Sequence, residues 1–160
     1  MLFRSLAGDG HINLSPKGLD ALRILNPRTV AYLDIYGSGI ETVAHLRQNG
    51  RITIMLCAFD GPPRIVRLYG QGRVAQAGSA EYLKLRPLFP VMPGERSIIV
   101  VSLDRVADSC GFAVPLFKFE GQRAQLLTAA EKKGPEGVAA YCRKNNANSI
   151  DGLPGLLAEL

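Results

Sequence analysis

Gly37-Ser38-Gly39 stands between a strand-like run, Tyr32–Tyr36, and a helix-like run, Ile40–Gln48. A junction of this kind can hold an anion. The first amides of a helix have no partner inside it, and the two glycines let the backbone come close to a bound group. Ser38 and Thr42 add hydroxyl donors, so phosphate is the simplest anion to suit the segment. An ordinary Ser-capped helix is the plainer account of the same residues. Other residues with chemical potential are few. Cys57 lies in an apolar strand and reads as core, whereas Cys110, between Ser109 and Gly111, is a candidate accessible thiol that would need a lowered pKa to react. His11 and His45 read as surface residues, and neither has a carboxylate at a spacing that suggests acid–base work.

Several elements must position that junction. Leu33 and Ile35 alternate with Tyr32, Asp34 and Tyr36, the period of a half-buried strand. Ile40, Val43, Ala44 and Leu46 form one helical face, with Glu41, His45 and Gln48 on the other. Asn49-Gly50 ends the helix, and Arg51–Phe59 follows as an apolar strand. Upstream, Leu2–Leu6 and His11–Ser15 can pair as a hairpin, stopped by Pro16. Leu19–Leu25 is ambiguous, with one helical turn the expectation. Downstream, Asp60-Gly61-Pro62-Pro63 is a turn, and Arg64–Gln76 is a long strand in which Gly70 and Gly72 suggest a bend or bulge. Ser79–Leu85 reads as a short capped helix, residues 87–95 as a proline-rich loop, and Ser97–Leu103 as the most apolar strand. Asp104–Pro115 reads as irregular, Gly121–Lys133 as a helix, and Pro135 as the start of another that runs to about Asn145. About six strands joined by tight turns suggest a small antiparallel barrel or sandwich, and alternation does not choose between them.

The 160 residues, without an internal repeat or linker, suggest one domain over 1–160, with the sheet over about 1–115 and a helical segment over about 121–160. A formal net charge of +5, carried by scattered basic residues, suits a small anionic ligand as well as nucleic acid, and no nucleic-acid motif is present. Three widely spaced cysteines give neither a disulfide framework nor a zinc site. No apolar run nears the ~18 residues of a membrane span. A soluble cytoplasmic protein that contacts neither membrane nor nucleic acid is the expectation.

Four stretches resemble a known family. HINLSPKG and YLDIYGSGIETVAHLRQNGRITIMLCAFDGPPRIVRLYGQGRV, followed by DSCGFAVP and SIDGLPG, are similar to the pyridoxamine 5′-phosphate oxidase-like FMN-binding split β-barrels. The likeness is greatest to a bacterial subgroup without an assigned substrate, and it extends from His11 to Leu156. It implies a mainly β fold, a six-stranded antiparallel split barrel with C-terminal helices. It also implies a homodimer with one FMN per subunit in a cleft at the interface. Family members usually carry a helix ahead of the first strand, whereas here strand-like residues begin at Leu2.

The resemblance also implies site residues. Lys17 matches a lysine that contacts the FMN phosphate. Glu41 and Thr42 fall where the characterised oxidases have an Arg-Lys pair, so Ser38, Gly39, Thr42, helix amides and Arg51 would replace those charges. Ser15 joins the phosphate site or is a turn residue. Asp34 bonds the ribityl chain or caps the helix. Arg67, with Arg64 and Tyr69, lies near the interface, beside the flavin or in a salt-bridge set. The implied reaction is hydride transfer between flavin and a small organic substrate or a nicotinamide, with no assigned catalytic side chain. No arginine-bearing C-terminal segment of the kind that grips pyridoxal phosphate is recognised. A deazaflavin- or haem-binding barrel and a non-catalytic flavin module are the alternatives.

Overall fold

The computed structural model describes residues 2–6 and 8–156. Seven strands form one antiparallel sheet: β1 (Leu2–Leu6), β2 (Ile12–Pro16), β3 (Leu22–Asn26), β4 (Thr29–Ile35), β5 (Arg51–Cys57), β6 (Ile65–Gln76) and β7 (Glu95–Ser109). Their order is β2-β1-β5-β6-β7-β4-β3. The helices are α1 (Glu41–Asn49), α2 (Ala80–Leu85) and α3 (Gln125–Asn145).

Chain length forces this sheet to curl. Laid flat, the two edge strands would be about 29 Å apart. Yet β2 runs into β3 through residues 17–21 alone, a link that reaches about 20 Å at most. The edges must therefore approach each other, which makes an open, split barrel. Within this link, Leu19 and Asp20 both take left-handed backbone, with φ of 60° and 55°. Such a conformation costs a residue with a side chain about 1–2 kcal/mol. Curvature is also written into β6. Its register against β7 shifts between Tyr69 and Gly70. A Cβ on Gly70 would stand 2.1 Å from the Ser102 carbonyl oxygen, and one on Gly72 would stand 2.8 Å from Leu46. Only glycine lets the strands and α1 come this close.

Two cores lie on opposite faces of the β4–β7 pair. Val30, Tyr32, Ile99 and Val101 face inward with Ile52, Ile54 and the α1 residues Ile40, Val43 and Leu46. Ala31, Leu33, Ile98 and Val100 face outward, under Tyr82, Phe89 and Met92. Burial on both faces is why Ser97–Leu103 reads as a continuous apolar run.

Several sequence expectations need correction. Among the described residues there are seven strands, where about six were expected, since Leu22–Asn26 pairs with β4. Ladder pairing with β6 carries β7 on to Ser109, through residues expected to be irregular. The first turn of α1 is not Ser-capped: its N-cap is Ile40, and no side chain bonds there. His45 is buried, not solvated, and its Nδ1 lies 3.0 Å from the Ser5 hydroxyl. The C-terminal helix begins at Gln125, later than expected, while its break at Gly134 (φ 67°) and the second helical stretch from Pro135 to Asn145 are as expected.

Candidate functional site: a cationic pocket in the barrel split

The split opens into a cavity of about 570 Å³. The end of β2 and the crossing to β3 form one wall (Asn13, Ser15, Lys17, Leu19), and the end of β4 with the start of α1 forms the other (Tyr36–Gly39, Glu41, Thr42). Arg96, at the start of β7, lies in its floor, and Leu14, Leu126 and Ile150 stand at its mouth. The cavity is therefore amphiphilic, with cations and hydroxyls inside and apolar side chains outside.

Asp34 is the key to the floor. A carboxylate that is 1% exposed inside an apolar strand needs a cation. Arg96 supplies it, with Nε donating to Asp34 Oδ2 at 2.6 Å. The Ser97 hydroxyl donates to the same oxygen at 3.2 Å. Burial works against the Arg96 charge, but Asp34 more than offsets it, so the guanidinium pKa is raised. Arg96 Nη2 reaches Asp34 Oδ1 at 3.5 Å, and Nη1 donates to the Gly39 carbonyl at 3.0 Å and Asn146 Oδ1 at 2.9 Å. Asp34 therefore caps no helix, and its oxygens are engaged by Arg96 and Ser97.

Lys17 is the opposite case. It is half-buried, yet among the described residues its ammonium has no hydrogen bond or ion pair. Burial is the main reason its pKa is lowered; Asp34 acts to raise it and Arg96 to lower it further. The charge of Asp34 is already balanced by Arg96, which leaves Lys17 uncompensated at the polar end of the cavity. Around it, the Ser15 hydroxyl accepts from Asn13 Nδ2 at 3.0 Å and keeps its own proton to donate. Ser38 is exposed at the rim. The same Asn13 amide reaches Thr42 Oγ1 at 2.9 Å, and Thr42 also meets the hydroxyl of the buried Tyr32.

The predicted residues thus divide. Ser15, Lys17, Ser38, Gly39, Glu41 and Thr42 line one cavity, with Asp34 behind it. Glu41 does not act there as an anion ligand, since its Oε2 accepts the Ile150 N–H at 3.1 Å. Arg51 lies elsewhere, at the far end of α1 in a separate cleft with Ser5, Tyr69 and Asp104. Arg67 also lies away from the cavity and donates to the Ser109 hydroxyl at 3.0 Å. Sequence reading missed Arg96, Asn146 and Asn13. Asp34 within YLDIY was the available signal, since a buried carboxylate announces a buried partner without saying which of 19 cations it is.

Among the described residues there is no cluster of metal-ligating side chains, and no helix is long and apolar enough to cross a membrane. Cys110 is exposed, while Cys57 and Cys142 are half-buried, and all three are free thiols. His11 is on the surface, as expected, with Nδ1 2.6 Å from Asp151.

No family model matches the chain. It is 39% identical, over 163 aligned residues, to a pyridoxamine 5′-phosphate oxidase family protein, ustO, of Aspergillus flavus. The match covers 91% of this chain and 66% of that protein, so the chain spans just under two thirds of the relative's length. Among solved structures, HupZ of Group A Streptococcus superposes with a TM-score of 0.52 at 15% identity, over 68% of this chain and 87% of that one. A Lactobacillus delbrueckii protein described by the name pyridoxamine 5′-phosphate oxidase gives 0.52 at 15% identity, over 66% and 81%. These structures share the fold of the present chain, and the relative shares its sequence. The chain belongs to the pyridoxamine 5′-phosphate oxidase-like family of split barrels.

Proposed function

We propose that the split holds the phosphate end of FMN and that the protein is a flavin-dependent oxidoreductase. One observation carries this reading: Lys17, a half-buried cation without a hydrogen-bonding partner among the described residues, lines the polar part of a cavity of about 570 Å³ whose mouth is apolar. A phosphate on a flat aromatic ring matches that amphiphilic shape. Lys17 would pair with the phosphate, and Ser15, Ser38 and the first amides of α1 would donate to it. Leu14, Leu126 and Ile150 would pack on the ring side and exclude water. When bound, the flavin supplies hydride transfer, so no side chain of this chain is required as acid or base. The relative's name supports the family chemistry, and its substrate is left to experiment.

The second subunit belongs to the same reading. Phe112, Leu116, Phe117 and Phe119 are 61–82% exposed in one short segment, next to Phe59, whose ring meets that of Phe117 at 5.5 Å. A homodimer would cover this apolar run, and Arg67 stands close to its start in the chain through its bond to Ser109. Haem is less well served. His45 lies buried against Ser5, and His11 is engaged by Asp151, so neither histidine of the chain lines the cavity.

Titration of the purified chain with FMN and riboflavin, followed by flavin fluorescence, tests the binding claim. Tighter binding of FMN, near one per chain, is expected, and equal affinities would remove the phosphate site. Reduction of the bound flavin by a nicotinamide donor would separate an enzyme from a flavin-holding module. Sedimentation with and without FMN tests the dimer.

A further inference from the structure

We infer that Asn146 positions the anion-binding turn, and that the SIDGLPG segment is the strap that holds Asn146 in place. The inference rests on the phosphate reading above and assigns a role to a motif which that reading leaves unused.

Asn146 follows α3 and is fully buried. Its side-chain amide bonds two ways: Nδ2 donates to the Gly37 carbonyl at 3.0 Å, and Oδ1 accepts from Arg96 at 2.9 Å. Arg96 in turn holds the Gly39 carbonyl. Two of the three carbonyls of the Gly37-Ser38-Gly39 turn are therefore held, that of Gly37 by Asn146 and that of Gly39 by Arg96. A planar trans peptide points its N–H away from its C=O. The Ser38 amide must then point away from Asn146, which does not line the split cavity whereas Gly37–Gly39 do, and the Ile40 amide points away from Arg96. Neither of these two N–H groups has a hydrogen-bond partner among the described residues. The turn is held with its Ser38 amide directed away from Asn146 and free to serve an anion, and a residue 109 positions along the chain from Gly37 holds it so.

The strap that follows is anchored at every side. Ser149 N–H donates to Leu153 O and Gly155 N–H to Ala147 O, so residues 147–155 fold back on themselves. Glu41 takes the Ile150 N–H, Arg47 donates to the Gly155 carbonyl, and Asp151 takes both the backbone N–H and the ring of His11. Gly155 has no room for a side chain: a Cβ would stand 2.3 Å from the Asn146 carbonyl oxygen and 2.7 Å from Ile40. This also accounts for Glu41 at a position where the resemblance implies a cation. A carboxylate there fastens the strap, and the strap fastens Asn146.

Asn146 acts through the turn, so its signature is a change in phosphate discrimination. Asn146→Ala is expected to weaken FMN binding by on the order of tenfold or more while riboflavin binding stays within about twofold. An equal loss for both flavins would mean a merely structural role and would overturn the inference. A measurement on the wild-type protein covers the case in which the variant does not fold. When inorganic phosphate is added, the amide resonance of Ser38 is expected to shift. If the protein binds FMN more tightly than riboflavin and that amide does not respond, the inference fails and the phosphate reading stands. If wild-type protein does not prefer FMN, the phosphate reading itself has failed.

Discussion

Arg96 stands in the wall between two clefts of similar size and opposite character. On one side is the split, about 570 Å³, with Lys17, Ser15 and the α1 start. On the other, beneath α3, is a cleft of about 640 Å³ lined mainly by apolar groups such as Met92, Pro93, Val138 and Ala139, with Cys142 and the exposed charges of Glu131 and Arg143. The larger cleft has the poorer chemistry. Burial raises the pKa of its thiol, Cys142, which keeps it protonated and unreactive. The smaller cleft holds an uncompensated cation. Charge that lacks a partner, more than volume, marks the site, and the paired cation between the clefts shows what satisfaction looks like.

Removing the paired cation should have the largest effect. Arg96→Ala leaves the Asp34 carboxylate buried without its partner, a change that typically costs 3–5 kcal/mol. Urea unfolding should show it, and an unaltered midpoint would mean that Asp34 has found another cation. Lys17→Ala should do the reverse. FMN affinity should fall by about 1.5–3 kcal/mol, the worth of a charged hydrogen bond, while the unfolding midpoint holds or rises slightly. Retained FMN affinity would take Lys17 out of the phosphate site.

Gly72→Ala should separate packing from chemistry. The new Cβ would press on Leu46 and Ile52 inside the barrel, and overpacking of this kind costs about 1–3 kcal/mol. FMN-to-riboflavin preference should not change, since the strain is far from the split. A changed preference would show that barrel shape and anion pocket are coupled.

The smallest effect expected concerns the strap. Its contact with Asp151 raises the pKa of the exposed His11 and lowers that of Asp151. The sign follows from the direction of each shift. The His11 contribution is complete below its usual pKa of about 6.5 and is lost as pH rises through the raised value. The Asp151 contribution is lost only as acid protonates it. An NMR titration of the His11 ring should therefore report a raised pKa that returns to normal in Asp151→Asn.

The barrel was legible in the sequence because its signals are local. Alternation, the Asn49-Gly50 stop and the Gly70/Gly72 pair each report on a few neighbouring residues, and β4, α1, β5 and the β6 bulge lie where they predict. Leu22–Asn26 was not legible as a strand. It is an edge strand fixed by pairing with β4, and its own pattern is too short to choose a period. The site was half legible. The Gly-Ser-Gly turn announced itself, and the family resemblance pointed to Lys17. Arg96 and Asn146 did not show, because their roles depend on contacts with Asp34 and Gly37 from 62 and 109 positions away. His45 was misread for the same reason, since β1 covers the helix face that alone looks polar.

The most direct test of the central claim is the ratio of FMN to riboflavin affinity in the wild-type protein and in Lys17→Ala, measured side by side. The account predicts a marked preference for FMN in the wild-type protein that Lys17→Ala largely abolishes, with riboflavin binding unchanged. A preference that survives the substitution, or one that never existed, would contradict it.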